Sequence, residues 1–349
     1  MRLLLTCNPG TEDVVAAEAK EKLGAEPLET RRMHGRIVVE YGSDDLELLQ
    51  EKIYEMRTIH YAGILLFYGE TEKPTLDWIE NAARSSRLHL YITEGSSFAV
   101  KSVREGEHEF TSMDVSRVVG KAVYESLRST GKTPVVRLNS PSTLIRSDLI
   151  DNKLYISLSL TGDYSRHIRR YRVYDHPAAL KSTLASTMIR LARAVDGDHI
   201  LDPMCGSGTV AIESALTFEN SLISCNDINP RHIVRAKANA AIARVDKRVN
   251  FLSVNALELD RYLAGQVDVV VTNPPYGIRL GDKKRVKQLY KKFAEVLPSV
   301  MKRGGRISII TPEGRYMRML LERNGFEVYD YRRVKHGDLW AAIISAKLH

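Results

Sequence analysis

Hydrophobic and polar positions change their rhythm along this chain of 349 residues. From about residue 176 to the end, short apolar runs rich in β-branched residues recur: HILD (199–202), LISCND (222–227), VNFLSV (249–254), VDVVVT (267–272), RISIIT (306–311), FEVYDY (326–331) and WAAIISA (340–346). Between them, apolar residues return every three or four positions, which predicts helices near 209–219, 230–243, 285–302 and 313–323. Nearly continuous apolar strands alternating with helices predict a mainly parallel, seven-stranded sheet covered on both faces. The final two runs leave no room for a helix between them, so they predict an antiparallel hairpin at the sheet edge.

The first half has another texture. GRIVVEYG and FAVKSVREG alternate as strands do, and TPVVRLNSP and KLYISLSLTG add two more. TEDVVAAEAKEKLG and SMDVSRVVGKAVYESLRSTG carry helical spacing and close on a glycine. These pieces predict small α+β units, with one boundary near 60–75 and another near 172–180, where YRVYDHPA breaks the pattern with a proline.

Composition narrows the class. A length of 349 residues with 44% hydrophobic content suits two or three folded domains. No stretch approaches eighteen uncharged apolar residues, and the start lacks a secretory leader's apolar core and cleavage site, so a soluble, cytoplasmic protein is expected. Cys7, Cys205 and Cys225 stand apart with no CxxC pair, which supports neither a disulfide framework nor a metal centre. The net charge of +8 is unevenly spread. Residues 1–100 hold 11 Lys+Arg against 17 Asp+Glu, while 101–349 hold 40 against 26. A basic later portion suits a polyanionic partner, since each neutralised phosphate releases counterions; solvated surface lysines are the alternative.

Candidate chemistry gathers at the ends of the expected strands. After the first lies DPMCGSGT, with Gly206 and Gly208 where a backbone must approach a ligand closely. The third glycine of the dinucleotide fingerprint is missing, which weakens a nicotinamide or flavin reading and leaves a plain tight turn as the alternative. The second strand ends at Asp227, an acid able to accept both ribose hydroxyls; it could instead cap the next helix, although Asn229, directly before Pro230, suits that better. Asn255-Ala256 could present an amide to an adenine edge or form only a turn. The fourth strand runs into TNPPYG, where consecutive prolines forbid further pairing and place an amide, a stiffened carbonyl and a phenol at one corner.

Residues 176–349 resemble the Class I S-adenosylmethionine-dependent methyltransferases, a Rossmann-like α/β fold. The resemblance implies that Asp202, Cys205, Gly206, Ser207, Gly208 and Thr209 form the cofactor loop. It also places Asp227 and Ile228 at the ribose and Asn255 and Ala256 at the adenine, where the family usually has Asp in place of Asn255. Leu180 and Thr183, in HPAALKSTLAS, would lie near the methionine moiety. NPPY is the family's signature for methylating an exocyclic or amide nitrogen. It implies that the Asn273 side-chain oxygen and the Pro274 carbonyl accept the amine's hydrogens, that Asn273 also borders the cofactor, and that Tyr276 stacks on the base. A 5-methylcytosine enzyme would need a cysteine nucleophile at this corner, and TNPPYG has none.

Residues 65–172 resemble the THUMP domain of tRNA-modifying enzymes, preceded over 1–64 by the ferredoxin-like domain that accompanies it; the methyltransferase domain would then occupy 173–349. An adenine-N6 DNA or protein-glutamine methyltransferase could share NPPY but not this half. The combination is similar to the tRNA guanine-N2 methyltransferases, and most to those acting at position 6 of the acceptor stem; enzymes of position 10 or of rRNA share the parts. Two basic segments are candidate RNA contacts: SRHIRRYR, with Arg166, Arg169, Arg170 and Arg172 between Tyr164 and Tyr171, and the run holding Arg279, Lys283 and Lys284. A linker and a solvated helix face are the alternatives. A monomer or weak homodimer is expected, and a non-catalytic RNA-binding protein is the rival class.

Overall fold

The computed structural model describes residues 1–174, 180–277, 283–337 and 339–349. They divide into two compact units, Met1–Cys7 with Val15–Arg166 and Asn8–Val14 with His167–His349. Among the described residues no helix is long and apolar enough to cross a membrane.

The first unit opens with β1 (Arg2–Thr6), α1 (Glu12–Leu23), β2 (Glu26–Thr30), β3 (Arg36–Glu40), α2 (Leu46–Glu55) and β4 (Tyr61–Glu70). These strands lie in the order β2-β3-β1-β4, every neighbouring pair antiparallel, which is the ferredoxin-like arrangement. Leu3, Leu5, Ile37 and Val39 pack there against Val15 and Ala19 of α1 and Leu49 and Ile53 of α2. Then follow α3 (Leu76–Ser85), β5 (Ser97–Glu105), α4 (Ser112–Ser129), β6 (Val135–Val136), β7 (Thr143–Ile150) and β8 (Lys153–Ser159). Thr111 and Asp114 start α4 with a reciprocal capping box. Phe98, Ile145, Leu154 and Ile156 form a second cluster with Ile79, Val115 and Val119.

The two clusters share one sheet. β4 pairs with β1 on one edge and β8 on the other, so eight strands run on as β2-β3-β1-β4-β8-β7-β5-β6. A division at 64/65 falls inside β4. Of the strand expected over 133–141, only Val135–Val136 pairs.

The second unit contains α5 (Ser182–Leu191), β9 (His199–Asp202), α6 (Thr209–Thr217), β10 (Leu222–Asn226), α7 (Pro230–Ile242), β11 (Val249–Leu252) and α8 (Asp260–Leu263). It continues with β12 (Val267–Thr272), α9 (Lys283–Val300), β13 (Met301–Thr311), α10 (Gly314–Arg323), β14 (Phe326–His336) and β15 (Leu339–Leu348). The sheet order is β11-β10-β9-β12-β13-β15-β14, with the first five strands parallel and β15 antiparallel to both its neighbours. This is the Class I methyltransferase topology. The closing hairpin is present, but β15 inserts beside β13 and only β14 forms the edge.

Alternation places both cores. Val269 and Val271 of β12 face one layer, with Leu184, Val210 and Ala236, while Val270 faces the other, with Phe293, Leu297 and Leu321. Strand order reverses between β9 and β12, which opens a crevice beyond their carboxyl ends.

Candidate active site

At the end of β9, Asp202 is buried and accepts a bond from the Met204 amide at 3.3 Å. Its carboxyl is pushed up to about 7, first by burial and then by repulsion from Asp227, against the lowering pull of the Met204 amide and the Thr272 hydroxyl. The folded chain therefore holds this proton more tightly than the unfolded chain does. That contribution to stability is complete below the unfolded carboxylate's value, near ~3.9, and is lost as pH rises through about 7. We expect ligand-free Asp202→Asn to gain thermal stability over wild type as pH is raised, with the gap levelling once wild-type Asp202 is ionised; calorimetric scans across pH check this.

The loop that follows is tied down at its back. The Cys205 amide donates to the Asn226 carbonyl at 2.8 Å, and the Gly206 amide to Asp227 Oδ2 at 2.9 Å. Gly206 has φ +53 and Gly208 φ +80, where side chains are strained. A Cβ on Gly208 would sit 3.0 Å from that of Ala236, so this glycine lets α7 approach. A Cβ on Gly206 would meet no protein atom within 4 Å, so its outer side is open. Ser207 and Thr209 are buried, their hydroxyls 3.3 Å apart. Cys205 and Cys225 lie twenty positions apart in the chain, yet their buried thiols are in contact, and burial pushes both upward.

Asp227 has more to do than its position in the sequence suggested. Asn229 caps α7 as expected, accepting from the Arg231 amide, with Pro230 in the first turn. That does not leave the Asp227 carboxylate free. Oδ1 accepts from the Asn229 amide at 2.9 Å and pairs with His232 Nδ1 at 3.2 Å, while Oδ2 holds Gly206. Three of roughly four acceptor positions are taken, so the acid shapes the loop and the start of α7 together. Ile228 beside it is well exposed. Asn255 Oδ1 accepts from the Leu257 amide, closing a turn around Ala256 and taking one of that oxygen's two acceptor positions.

Sequence reasoning missed Asn226. Fully buried, it donates to the carbonyls of Pro203 and Val254 and accepts from the Val254 amide, lacing together the ends of β9, β10 and β11. An Asn ending an otherwise apolar strand was the available signal.

The proline corner follows β12, one strand from Asp202. Asn273 is half-buried, Pro274 buried and Pro275 exposed. The fully buried Tyr290 of α9 steadies it, donating to the Pro275 carbonyl at 3.0 Å, with the Thr311 hydroxyl also at 3.0 Å. Burial pushes this phenol up to about 12. Tyr276 meets His336 edge to face, with centroids 6.4 Å apart and its hydroxyl 3.4 Å from Nδ1. We expect Tyr290→Phe to slow turnover roughly tenfold, because a misplaced reacting group is costly, while cofactor affinity holds; single-turnover rates and titration calorimetry separate the two.

Residues 169–342 match the RMKL-like methyltransferase domain family (UPF0020), and residues 73–159 match the THUMP domain. The tRNA (guanine(6)-N2)-methyltransferase of Archaeoglobus fulgidus is 35% identical, over 99% of this chain and 91% of that protein. The enzyme of the same name from Methanocaldococcus jannaschii is 32% identical, over 98% and 99%. This chain belongs to the THUMP-domain tRNA guanine-N2 methyltransferases. A solved member of comparable architecture, TrmN from Thermus thermophilus, superposes with a TM-score of 0.80 at 28% identity, covering 100% of this chain and 99% of that one.

The cofactor of this methyltransferase is S-adenosylmethionine, and the crevice floor fits it. The open side of Gly206 leaves room for a ligand at the loop that Asp202 precedes and Asp227 holds. At the start of α5 the Thr183 hydroxyl is buried with no hydrogen-bond partner among the described residues, and Leu180 is buried beside it.

The basic residues of this tRNA methyltransferase part company. Arg166 donates to the carbonyls of Tyr54 and Met56 and lies over the Tyr54 ring. Arg169 pairs with the fully buried Glu213, which also accepts from Tyr171 and Ser186. Arg172 donates to the Leu180 carbonyl. The expected RNA-facing segment is thus corrected at Tyr171, which is buried, and three of its arginines bond within the protein; Arg170 and Tyr164 remain exposed. Lys284 is exposed on the first turn of α9, whereas Arg279 and the Lys283 side chain lie outside the described residues.

Proposed function

We propose that this enzyme methylates the exocyclic N2 of guanosine at position 6 of tRNA, in the acceptor stem. The observation that carries the reading is the Asn273-Pro274 corner, set one strand from the glycine loop where the sheet order reverses. Its support beyond chemistry is that the archaeal and Thermus thermophilus relatives named for guanine(6) align with nearly the whole chain, both halves included, although the mammalian enzymes named for guanine(6) align over 55–62% of it. The relative named as a tRNA (guanine(10)-N2)-dimethyltransferase aligns over only 66% of it.

The guanine amine is a weak nucleophile because its lone pair is delocalised into the ring. Asn273 Oδ1 and the Pro274 carbonyl accept its two hydrogens and aim the nitrogen, and Tyr276 offers a ring to the base. S-adenosylmethionine supplies an electrophilic methyl group on a sulfonium that departs as a neutral thioether. The proton that the alkylated nitrogen sheds needs no strong base. Positioning of this kind can contribute on the order of 7–11 kcal/mol, which makes the rigidity imposed by Pro274, Pro275 and Tyr290 part of the catalysis. Arg170 and Lys284 would hold RNA phosphates.

Incubation with labelled cofactor and unmodified tRNA transcripts, followed by nucleoside digestion and mapping, tests this. N2-methylguanosine at position 6 is expected. Label at position 10 would move the site assignment, and N6-methyladenosine would overturn the base assignment.

A further inference from the structure

Beyond the end of β13 lies a cavity of about 430 Å³ that the catalytic corner does not use. Its floor begins at Pro312, directly after Thr311, whose hydroxyl shares the Tyr290 phenol with the Pro275 carbonyl. Its walls come from the start of α10 and the β14–β15 hairpin, so it opens on the same carboxyl edge of the sheet as Asn273. Beside Pro312, Ala341 and Ala342, the lining carries aromatic, cationic and acidic side chains. Trp340 and Tyr331 are large aromatics left 45% and 37% exposed. Arg315 and Arg333 are exposed cations, and the Arg333 guanidinium lies over the Trp340 ring, 5.0 Å from its centroid. Glu313 is the one carboxylate in the lining among the described residues.

We propose that this cavity is a second nucleotide subsite, which holds a base of the tRNA next to the guanosine being methylated. The inference rests on the tRNA reading above. A guanidinium on one indole face leaves the other for a stacked base, and that stacking tolerates any base identity. Arg315 and Arg333 meet the phosphate of the same nucleotide, and Glu313 accepts a base N–H rather than facing a phosphate. A target base leaves its helix only if unstacking is compensated. A neighbour captured on Trp340 holds the strand open while Asn273 and Pro274 engage the amine.

The chain has two tryptophans, Trp78 and Trp340, so Trp78→Phe makes Trp340 the sole indole reporter. Unmodified tRNA transcript should quench its emission. An abasic site at one immediate neighbour of the target should abolish most of that quenching, while an abasic site at the target itself should not. In otherwise wild-type protein, Trp340→Ala should raise KM for tRNA roughly fivefold to over a hundredfold, the range for loss of one base–aromatic stack. Cofactor affinity should hold, and Trp340→Phe should recover most of the loss. Unchanged Trp340 emission at saturating transcript, an unchanged KM, or quenching that depends on the target base alone would each overturn the subsite. Methyl transfer to the same transcript is followed in parallel: its absence counts against the proposed function, whereas methylation without quenching counts against the subsite only.

Discussion

Asn273→Ala is expected to abolish useful turnover, by roughly 10²–10³-fold or more, the scale seen when one preorganised polar group aimed at a reacting centre is removed. The Ala variant keeps the strand end and both prolines and removes the carboxamide whose oxygen aims the amine. Binding of tRNA, which depends on many phosphate contacts, should stay close to wild type. Asn273→Asp retains an acceptor oxygen and should retain part of the rate. Single-turnover measurements at saturating tRNA and cofactor isolate the chemical step from both affinities. Turnover within about fivefold of wild type in the Ala variant would remove Asn273 from the catalytic role argued for it by analogy with other preorganised groups.

The second large effect is on stability. Glu213 is fully buried on α6, within two turns of the cofactor loop, and gathers Arg169, Tyr171 and Ser186. Glu213→Ala would leave a largely buried guanidinium and a phenol without their acceptor, a change that typically costs about 3–5 kcal/mol. In a unit of this size that corresponds to a fall in melting temperature of roughly 6–20 °C. Replacing both Glu213 and Arg169 by Met should recover a good part, since the penalty comes from stranding a charge rather than from losing the pair. The network also ties α5, which carries Thr183, to α6. Weaker S-adenosylmethionine binding in Glu213→Ala should therefore accompany the lower stability, and saturating cofactor should restore some of it by mass action.

Several elements of the catalytic half could be read from local pattern. The expected strand bounds at 199–202 and 267–272 coincide with β9 and β12, and the Asn229-Pro230 start of α7 is where capping chemistry placed it. Alternation of apolar residues and the choice of turn residues act over a few positions, so they survive in one dimension. The first half was harder. β4 is shared by two sheet segments, and a strand buried between two neighbours carries no mark of which parts of the chain it joins. SRHIRRYR shows the same limit. Its charge suggested a phosphate-facing segment, yet Glu213, more than forty positions away, takes Arg169 and Tyr171.

The sequence alone determined the order of the two halves, the α/β character of the second, and the glycine turn, the Asp227 carboxylate and the proline corner at the ends of its strands. Each of these follows from backbone geometry that neighbouring residues dictate. Only the tertiary structure decided what holds them: Asn226 across three strand ends, Tyr290 beneath Pro275, the Asp227 carboxylate divided between the glycine loop and the start of α7, and Arg333 laid on Trp340 beside an open cavity. Those partnerships join residues far apart in the chain, and packing geometry rather than local propensity selects which distant polar groups meet.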